Sequence, residues 1–318
     1  MADLPAHPSG RWVPDLDPFL WQISGEIGIR WYGLAYLAGL VLGGLLLRRW
    51  IRQGRLPLRS GELQDLVFVV GLAMVIGGRL GYCLFYQPSL LISFGDGFPW
   101  WGVLRLMDGG MASHGGIAGL AVGTWWWSWR HRRPLGVLAD AVAVGAPIGV
   151  VCGRLANFWN GELWGRPCDP SLPWGVVFPN ETFPPAQTAA QIAALVPRHP
   201  SQLYAVGLEG LLPLLIAIPL NARHRRPGLS VAIILATYAV GRFVGEFFRQ
   251  PDAGQPGSPG HDFILGFMSK GQALTLPVLV IAAGVAWWAW YRGPMAQAYV
   301  LPGDAPQETP GPTDQARL

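Results

Sequence analysis

Residues 137–152 read VLADAVAVGAPIGVVC and contain one charged residue, Asp140. They lead directly into residues 153–165, GRLANFWNGELWG, which place an arginine, two asparagines and a glutamate within nine residues among aromatic side chains. The apolar run is typical of a membrane-spanning helix, so the polar residues after it are predicted at or just inside the membrane surface. Polar groups at that depth are costly and usually line a cavity with a function. The 153–165 stretch is therefore the first candidate for a functional site.

The composition is that of a polytopic membrane protein. Hydrophobic residues make up 51% of the chain and charged residues 13%, whereas a soluble domain carries about 25% charged residues. The net charge of +4 comes almost wholly from arginine, but the arginines are dispersed between apolar spans, which argues against a nucleic-acid-binding protein. The three cysteines lack CxxC spacing, so the sequence predicts neither a disulfide framework nor a zinc site.

Seven apolar segments are predicted to cross the membrane as helices, which gives an all-α polytopic fold. Each is near the roughly 20 residues that a bilayer requires, although the third is short. The predicted spans are 31–47, 66–86, 116–129, 137–153, 202–220, 229–248 and 272–290.

The positively charged residues predict the orientation of these spans. The loops after spans one, three and five contain eleven arginines together, whereas the loops after spans two, four and six contain four arginines and one lysine. Arginine and lysine accumulate in cytoplasmic loops. The N-terminus is therefore predicted outside, on the periplasmic side, and the C-terminus in the cytoplasm.

The sequence predicts a single integral-membrane domain over residues 1–292. Outer extramembrane segments are expected near residues 87–112, 166–200 and 249–270, and residues 1–25 are expected to be irregular or interfacial. Residues 293–318 are polar and are predicted to form a disordered cytoplasmic tail.

With this topology, the polar groups within the spans lie mostly at one depth. Tyr32, His114 and Arg154 come at the outer ends of their spans. Arg79 and Arg242 lie in the outer halves of theirs. Polar residues placed independently for structural reasons would not share one depth in the membrane. We therefore expect a site that opens to the outer leaflet.

Span six carries its polar side chains on one helical face. The residues of this stripe, which fall within a sector of roughly 80° at 100° per residue, are Tyr238, Arg242, Glu246 and Arg249. Arg242 and Glu246 are four residues apart, so they can form an ion pair on one helical face. The simpler interpretation is that the two charges only neutralise each other so that the helix is tolerated in lipid. The stripe extends beyond that pair in both directions, which favours a functional role over this simpler interpretation.

Arg154 and Arg242 suit a phosphate group. An arginine guanidinium matches phosphate oxygens bidentately, so two arginines in the outer leaflet fit a phospholipid headgroup held in the bundle. The simpler alternative for Arg154 is snorkelling to bulk lipid phosphates. Asn157 can share the helical face of Arg154, and Asn160 with its following glycine is expected to break the helix and turn Glu162 back towards it.

Four further residues leave alternatives open. His114, beside two glycines, is either a proton acceptor or a structural histidine. Glu209, near the middle of span five, either bridges helices by hydrogen bonds or acts as an acid–base group, and Arg79 either counters a carboxylate or faces the cavity. Cys152 precedes Arg154 by two residues, but no neighbouring base in the sequence supports a covalent mechanism there.

The 153–165 stretch resembles the signature of the prolipoprotein diacylglyceryl transferase family. The pattern Gly-Arg-x-x-Asn-Phe-x-Asn-x-Glu-x-x-Gly is met at Gly153, Arg154, Asn157, Phe158, Asn160, Glu162 and Gly165. The resemblance spans nearly the whole chain, through RWYG at 30–33, HGG at 114–116, HPSQLY at 199–204, the span-six stripe and FRQPD at 248–252. One departure is Lys270, where the family usually has methionine before Gly-Gln. We expect this change to alter the surface through which substrates enter rather than the chemistry.

The resemblance implies a multi-pass enzyme of the bacterial inner membrane whose active site faces the outer leaflet. It implies that phosphatidylglycerol donates its diacylglyceryl group to the lipobox cysteine thiol of a preprolipoprotein. The products would be a thioether and glycerol phosphate, in the first step of lipoprotein maturation. Neither a metal nor an organic cofactor is expected, and the partners are membrane lipid and signal peptides rather than nucleic acid.

The resemblance also implies roles for the site residues. Arg154 and Arg242 would stabilise the charge that builds on the departing phosphate. His114 is the first candidate for the base that takes the thiol proton, and Glu246 or Glu162 is the second. The residues expected to bind and orient the lipid headgroup are Tyr32, Arg79, Asn157, Asn160, Gly165 and Tyr238.

The main alternative is a lipid or solute transporter in which buried arginines and glutamates form a substrate path. Such a protein would favour charges distributed over the membrane depth and repeated halves. The sequence shows clustering at one depth and no internal repeat. An intramembrane protease would need a Gly-x-Ser-Gly or paired-aspartate motif, and the sequence contains neither.

Overall fold

Long helices dominate the computed structural model, which describes residues 4–14, 17–24, 27–56, 58–95, 97, 99–106, 110–182, 184–224, 226–250 and 267–293. The long helices are α1 (Trp31–Arg52), α2 (Ser60–Phe85), α3 (Ser113–His131), α4 (Leu135–Trp159), α7 (Leu212–His224), α8 (Leu229–Gly245) and α9 (Lys270–Arg292). The short helices are α5 (Ala189–Ala194) and α6 (Ser201–Ala205), and the π-helical segment Val206–Leu211 joins α6 to α7. Single turns of 3₁₀-helix occur at Pro88–Leu91, Gly102–Leu104 and Pro179–Glu181.

A helix lies at each of the seven predicted spans. The first four spans correspond to α1–α4, the fifth to α6, the π-helical segment and α7 together, and the last two to α8 and α9. Five segments of the described chain are long and apolar enough to cross a bilayer, namely Trp31–Arg52, Gly61–Phe85, Leu135–Trp159, Ser201–Leu220 and Gly271–Arg292. Helix α8 is apolar but has only 17 residues, and α3 is not among the five. The chain is a polytopic, mostly helical membrane protein.

A β-hairpin precedes the first helix, so the expectation of an all-α chain with an irregular N-terminal segment is wrong there. Strand β1 (Phe19–Ser24) pairs antiparallel with β2 (Ile27–Arg30). The two strands read FLWQIS and IGIR, and such aromatic and β-branched residues favour extended backbone. Strand β2 ends at Arg30 and α1 begins at the next residue, so the hairpin lies against the start of α1.

Helix α4 is central, because it contacts α1, α3, α6, α7 and α8. Its Asp140 is 4% exposed and accepts hydrogen bonds from the backbone N–H groups of Gly228 at 2.9 Å and Val231 at 3.0 Å. The carboxylate thereby satisfies the free N–H groups at the start of α8 and complements the positive end of its dipole. This contact fixes the position of α8 along α4.

The Asp140 contact also aligns two arginines. Arg154 lies 14 residues after Asp140 in α4, and Arg242 lies 14 residues after Gly228, the residue that precedes α8. At 1.5 Å per residue both are displaced by about 21 Å in the same direction. The two arginines are therefore brought to the same level at the far ends of two parallel helices.

The segment 166–200, which the sequence analysis predicts on the outer side, closes over the end of α4 with aromatic side chains. Phe158 packs on the buried Phe178, with ring centroids 6.0 Å apart, and Phe178 stacks on Trp164 at 6.4 Å. Arg198 and Glu181 form an ion pair within the same segment. Most of the predicted outer segment 249–270 and the predicted tail lie outside the described residues.

Helices α2 and α3 approach each other closely along glycines. A Cβ atom on Gly119 would lie 2.1 Å from the carbonyl oxygen of Ala73, and one on Gly77 would lie 2.4 Å from that of Gly115. Small residues allow such backbone contact between membrane helices. The packing of α3 therefore depends on the absence of side chains at these positions.

Gly119→Ala is expected to force α2 and α3 apart. We expect a lower free energy of unfolding by about 1–3 kcal/mol, as for other overpacked sites, measured as a fall of several degrees in Tm of the detergent-solubilised protein. The matched control is Gly116→Ala on the same helix, where the new Cβ would meet only ordinary contacts, 3.6 Å from Cγ of Met74. Equal Tm values for the two variants would contradict this account.

Candidate active site

Four charged side chains meet between α4, the π-helical segment and α8, and we call them the charged cluster: Arg154, Glu209, Arg242 and Glu246. The Nη2 of Arg154 donates to Oε2 of Glu209 at 2.9 Å, and Nη1 of Arg242 donates to Oε1 of the same carboxylate at 3.5 Å. The Nη2 of Arg242 also lies 2.7 Å from Oε2 of Glu246. Glu209 therefore bridges the two arginines, which we call the arginine pair.

The charged cluster is deeply placed. The side chain of Glu209 is 1% exposed and that of Glu246 is 5% exposed, while those of Arg154 and Arg242 are 20% and 16% exposed. Ionised groups leave water at a large cost unless they are paired, so four charges in balance make this burial tolerable. The two carboxylates are the more buried members of the cluster, and the two arginines are the more exposed ones.

The π-helical segment directs Glu209 towards the arginine pair. Its wider turn runs from Val206 to Leu211, and such π turns frequently occur at functional sites. The segment approaches α4 closely, because a Cβ on Gly210 would lie 2.4 Å from Cγ2 of Val151. The sequence had left the role of Glu209 open between a bridge and an acid–base group. The geometry shows that it bridges α4 and α8.

A small cavity of about 10 Å³ lies beside the charged cluster. Besides the arginine pair and Glu209, its lining includes Leu163, Ser201, Gln202, Ala205, Gly245 and Arg249. Tyr238, one turn before Arg242 on α8, interacts electrostatically with Glu209 and the arginine pair. Of the predicted stripe on span six, Arg242 and Arg249 line this cavity.

A second polar group surrounds Glu162. Its Oε1 accepts from Nδ2 of Asn160 at 3.1 Å and from Nδ2 of Asn157 at 3.4 Å. The Asn157 amide also donates to the hydroxyl of Tyr32 on α1. Three of the residues predicted to bind the headgroup, Tyr32, Asn157 and Asn160, therefore lie together.

The turn after α4 forms as the sequence predicted. The helix ends at Trp159, and Gly161 and Leu163 adopt left-handed backbone with φ of 62° and 55°. This reversal brings Glu162 back to the end of α4, where both asparagines donate to it. The turn is tied to α6, because Nε2 of Gln202 donates to the carbonyl of Glu162 at 2.7 Å.

Gly165 supplies backbone rather than a side chain. Its N–H donates to the carbonyl of His199 at 3.0 Å, and a Cβ there would lie 2.3 Å from that oxygen and 2.6 Å from the carbonyl oxygen of Phe248. The next residue, Arg166, donates its N–H to the same Phe248 carbonyl at 2.8 Å. Three segments of the chain therefore meet at Gly165 so closely that no side chain fits.

His199, the first residue of the HPSQLY motif at 199–204, lies in this junction. Its Nδ1 is 3.1 Å from the hydroxyl of Tyr204, and its ring packs edge-on against Phe248 with centroids 5.2 Å apart. Burial lowers the pKa of the His199 imidazole because the charged form is desolvated. The ring is therefore kept in its neutral form around pH 7.

Arg79 contacts the segment that connects α2 to α3. It is 4% exposed, and its guanidinium donates to the carbonyls of Val103, Gly102, Gly110 and Arg105 at 2.8–3.0 Å. These contacts order the backbone that connects α2 to α3. Neither of the sequence interpretations, a carboxylate partner or a place in the cavity, anticipated four carbonyl contacts.

His114 is the second residue of α3, at the end of that helix that packs against Gly77 and Gly81 of α2. Its side chain lies outside what the structure describes. In the described part of the chain, no group of three or more His, Cys, Asp or Glu side chains is arranged to bind a metal ion.

Sequence reasoning did not single out Ser201 and Gln202. The Oγ of Ser201 donates to the carbonyl of Leu163 at 3.0 Å, and Gln202 is 1% exposed beneath the turn after α4. Both residues lie in the HPSQLY segment, and their place in that family motif is the sequence feature that could have indicated them. Their contacts explain that motif as the support of the 160–165 turn.

Gly165→Ala is expected to displace the 160–165 turn and to reduce the transfer activity that the family resemblance implies by on the order of 10²-fold, the effect of roughly 1 Å of misplacement. The matched control is Gly153→Ala in the same motif, where an added Cβ meets nothing within 4 Å. The check is the initial rate of each purified variant, normalised to folded protein. Normal turnover in Gly165→Ala would contradict the tight junction.

Comparisons with known proteins identify the family of this chain. A model of the family described as prolipoprotein diacylglyceryl transferase matches residues 18–288. Proteins named phosphatidylglycerol–prolipoprotein diacylglyceryl transferase are similar to this chain over most of its length. The one from Nitrobacter winogradskyi is 39% identical over 291 residues, which covers 89% of this chain and 91% of the relative. Those from Ruegeria pomeroyi and Bdellovibrio bacteriovorus are 41% and 35% identical, covering 84% and 92% of this chain and 93% and 96% of the relatives. The chain belongs to the prolipoprotein diacylglyceryl transferase family.

Proposed function

We propose that this chain transfers the diacylglyceryl group of phosphatidylglycerol to a cysteine thiol in the lipobox of a preprolipoprotein. The relatives are named for phosphatidylglycerol and prolipoprotein as substrates and for this transfer. The observation that carries the proposal is the arginine pair beside a cavity between α4 and α8. The transporter alternative is not supported, because the matched relatives are named as transferases.

The arginine pair suits the phosphate that leaves in this reaction. The acceptor sulfur attacks the glycerol carbon that bears the phosphoester oxygen, and a carbon–sulfur bond forms as the carbon–oxygen bond breaks. The electron pair of the broken bond stays with the oxygen, so the released glycerol phosphate gains negative charge. Arg154 and Arg242 are oriented in advance by Glu209, and preorganised donors at a developing charge usually contribute more to catalysis than any other single effect.

A base must accept the thiol proton, because the thiolate is the nucleophile. We propose His114 for this step, at the start of α3, with Glu246 and Glu162 as the alternatives. Both carboxylates are already engaged, Glu246 with Arg242 and Glu162 with two asparagine amides. Since the nucleophile comes from the substrate, Cys152 needs no role in the chemistry.

We propose that the second polar group, around Glu162, orients the lipid headgroup. Tyr32, Asn157 and Asn160 lie together there, and Tyr238 contributes from α8. Gly165 acts through the backbone junction described above. Arg79 contributes by ordering the outer segment, since its guanidinium donates to backbone carbonyls of that segment.

The proposed setting is the bacterial inner membrane, with seven spans, the N-terminus outside, the C-terminus inside and the site open to the outer leaflet. The distribution of loop arginines supports this orientation. The positions of Arg154 and Arg242 near the ends of α4 and α8 support a site close to one membrane surface.

Arg154→Gln and Arg242→Gln are each expected to lower transfer by on the order of 10²–10³-fold, as the loss of one donor to a developing charge does. The measurement follows labelled glyceride from phosphatidylglycerol to a lipobox peptide, with Tm as the check of folding. Arg226→Gln is the control, because Arg226 donates to the carbonyl of Trp290 at the opposite end of α8 and α9. Normal turnover in both site variants would refute the phosphate assignment.

His114→Asn is expected to reduce kcat strongly, by about 10²–10⁴-fold, because general base catalysis typically contributes that much. If His114 is the base, the rate of the variant should recover as pH is raised and the thiol ionises without assistance. Glu246→Gln and Glu162→Gln are compared over the same pH range. A nearly normal rate in His114→Asn would move the role to one of the carboxylates.

A further inference from the structure

Both members of the arginine pair are occupied in the free protein. One carboxylate, Glu209, accepts from Arg154 through Oε2 and from Arg242 through Oε1. This side chain is 1% exposed, so water does not screen the interaction. The position between two guanidinium groups is where a phosphate of the substrate would bind.

The charges of the cluster already balance. Arg154 and Arg242 carry two positive charges, and Glu209 and Glu246 carry two negative charges. A phosphodiester adds one more negative charge in a site of low exposure, where like charges repel strongly. A carboxylate must therefore give up its arginine contacts when phosphate binds.

Glu209 is the carboxylate placed to do so. Glu246 contacts Arg242 from the same helix, at the spacing of one helical turn, and stays beside it whatever binds. Glu209 comes from a different element, the π-helical segment, and lies between both arginines. A phosphate that contacts both guanidinium groups through two of its oxygens would have to take the place of the Glu209 carboxylate.

We propose that Glu209 is an internal counter-ion that occupies the phosphate position of the free enzyme and makes the arginine pair selective for a lipid-borne phosphate. This inference rests on the proposed function, since it assigns the arginine pair to the substrate phosphate. Any anion must compete with Glu209. A phospholipid held in the adjacent bilayer has a high effective concentration at the site. A dilute soluble anion such as inorganic phosphate lacks that advantage and is excluded.

The internal counter-ion also explains why the arginine pair is preorganised without substrate. Two neighbouring guanidinium groups with no anion between them would repel each other and turn towards water. Glu209 keeps both directed at one point on α4 and α8. It is thus a positioning residue for the arginines and a competitor for the site they form.

The test is Glu209→Gln, which keeps the shape of the side chain and removes its charge. The inhibition is measured in mixed micelles at constant ionic strength. We expect the phosphate concentration that inhibits this variant to be at least about 10-fold lower than the concentration that inhibits the wild-type protein. A 10-fold change corresponds to about 1.4 kcal/mol, which is within what one charge-assisted interaction contributes. The KM for phosphatidylglycerol should fall as well, because the lipid phosphate no longer competes with the carboxylate. A merely structural role would instead raise KM or lower kcat without changing phosphate inhibition.

The matched control is Glu62→Gln, which removes a glutamate that pairs with Arg133 at the other end of the bundle, 2.5 Å from its Nη2. Its phosphate inhibition should equal that of the wild-type protein. If Glu209→Gln does not fold, Glu209→Asp retains the charge but withdraws it from both arginines, and an intermediate sensitivity to phosphate is then expected.

The result that would overturn the inference is unchanged phosphate inhibition in the folded Glu209 variant. Direct phosphate binding, followed by ³¹P NMR in Glu209→Gln and in Glu209→Gln combined with Arg154→Gln, separates the two proposals. Binding that appears in the first variant and disappears in the second supports the counter-ion. Phosphate binding that persists without Arg154 overturns it, whereas failure of the proposed function would show as normal transfer in Arg154→Gln alone.

Discussion

The arrangement of the helices depends on placing two arginine charges inside an apolar bundle. Arg154 and Arg242 are mostly buried, and an unpaired buried charge would destabilise the fold by several kcal/mol. Glu209 and Glu246 offset this cost only if the end of α4, the π-helical segment and the end of α8 meet at one point. The charged cluster is therefore a structural requirement as well as the candidate for chemistry.

A contact between the opposite ends of α4 and α8 brings these segments to one point. Asp140 on α4 accepts from the backbone at the start of α8, and the equal spacing of 14 residues then brings the arginine pair to one level. A shift of α8 by one turn would move Arg242 by about 5.4 Å relative to Arg154. Such a shift would break both contacts of Glu209. A buried carboxylate far from the site thus contributes to its geometry.

Periodicity and motif spacing predicted much of this molecule. Apolar runs predicted helices at all seven positions, and the 3.6-residue period placed Arg242 and Arg249 on the face that meets the cavity. The turn of the chain after Asn160 followed from local backbone preferences, because glycine readily adopts left-handed backbone. Local rules succeed where the outcome depends on neighbouring residues.

Two of the features that the sequence did not predict depend on distant partners. Arg79 donates to four carbonyls of a loop without periodicity, so nothing near it in the sequence indicated its contacts. A π-helical turn leaves no clear hydrophobic signature, and the bridging role of Glu209 follows only from the approach of α4 and α8. The N-terminal hairpin is local, but the sequence analysis expected residues 1–25 to be irregular or interfacial and so did not predict its strands.

The use of arginine rather than lysine follows from this geometry. Arg242 directs Nη1 to Glu209 and Nη2 to Glu246, so one guanidinium contacts two carboxylates at once. A planar fork with five donors can keep Glu246 on one nitrogen while another turns from carboxylate to phosphate. A lysine ammonium is a point charge and would have to move as a whole between these partners. Because close packing fixes the positions of the helices, the side chain has little room to move when the substrate phosphate replaces Glu209. A guanidinium group, which already presents donors in two directions, can make this exchange most easily.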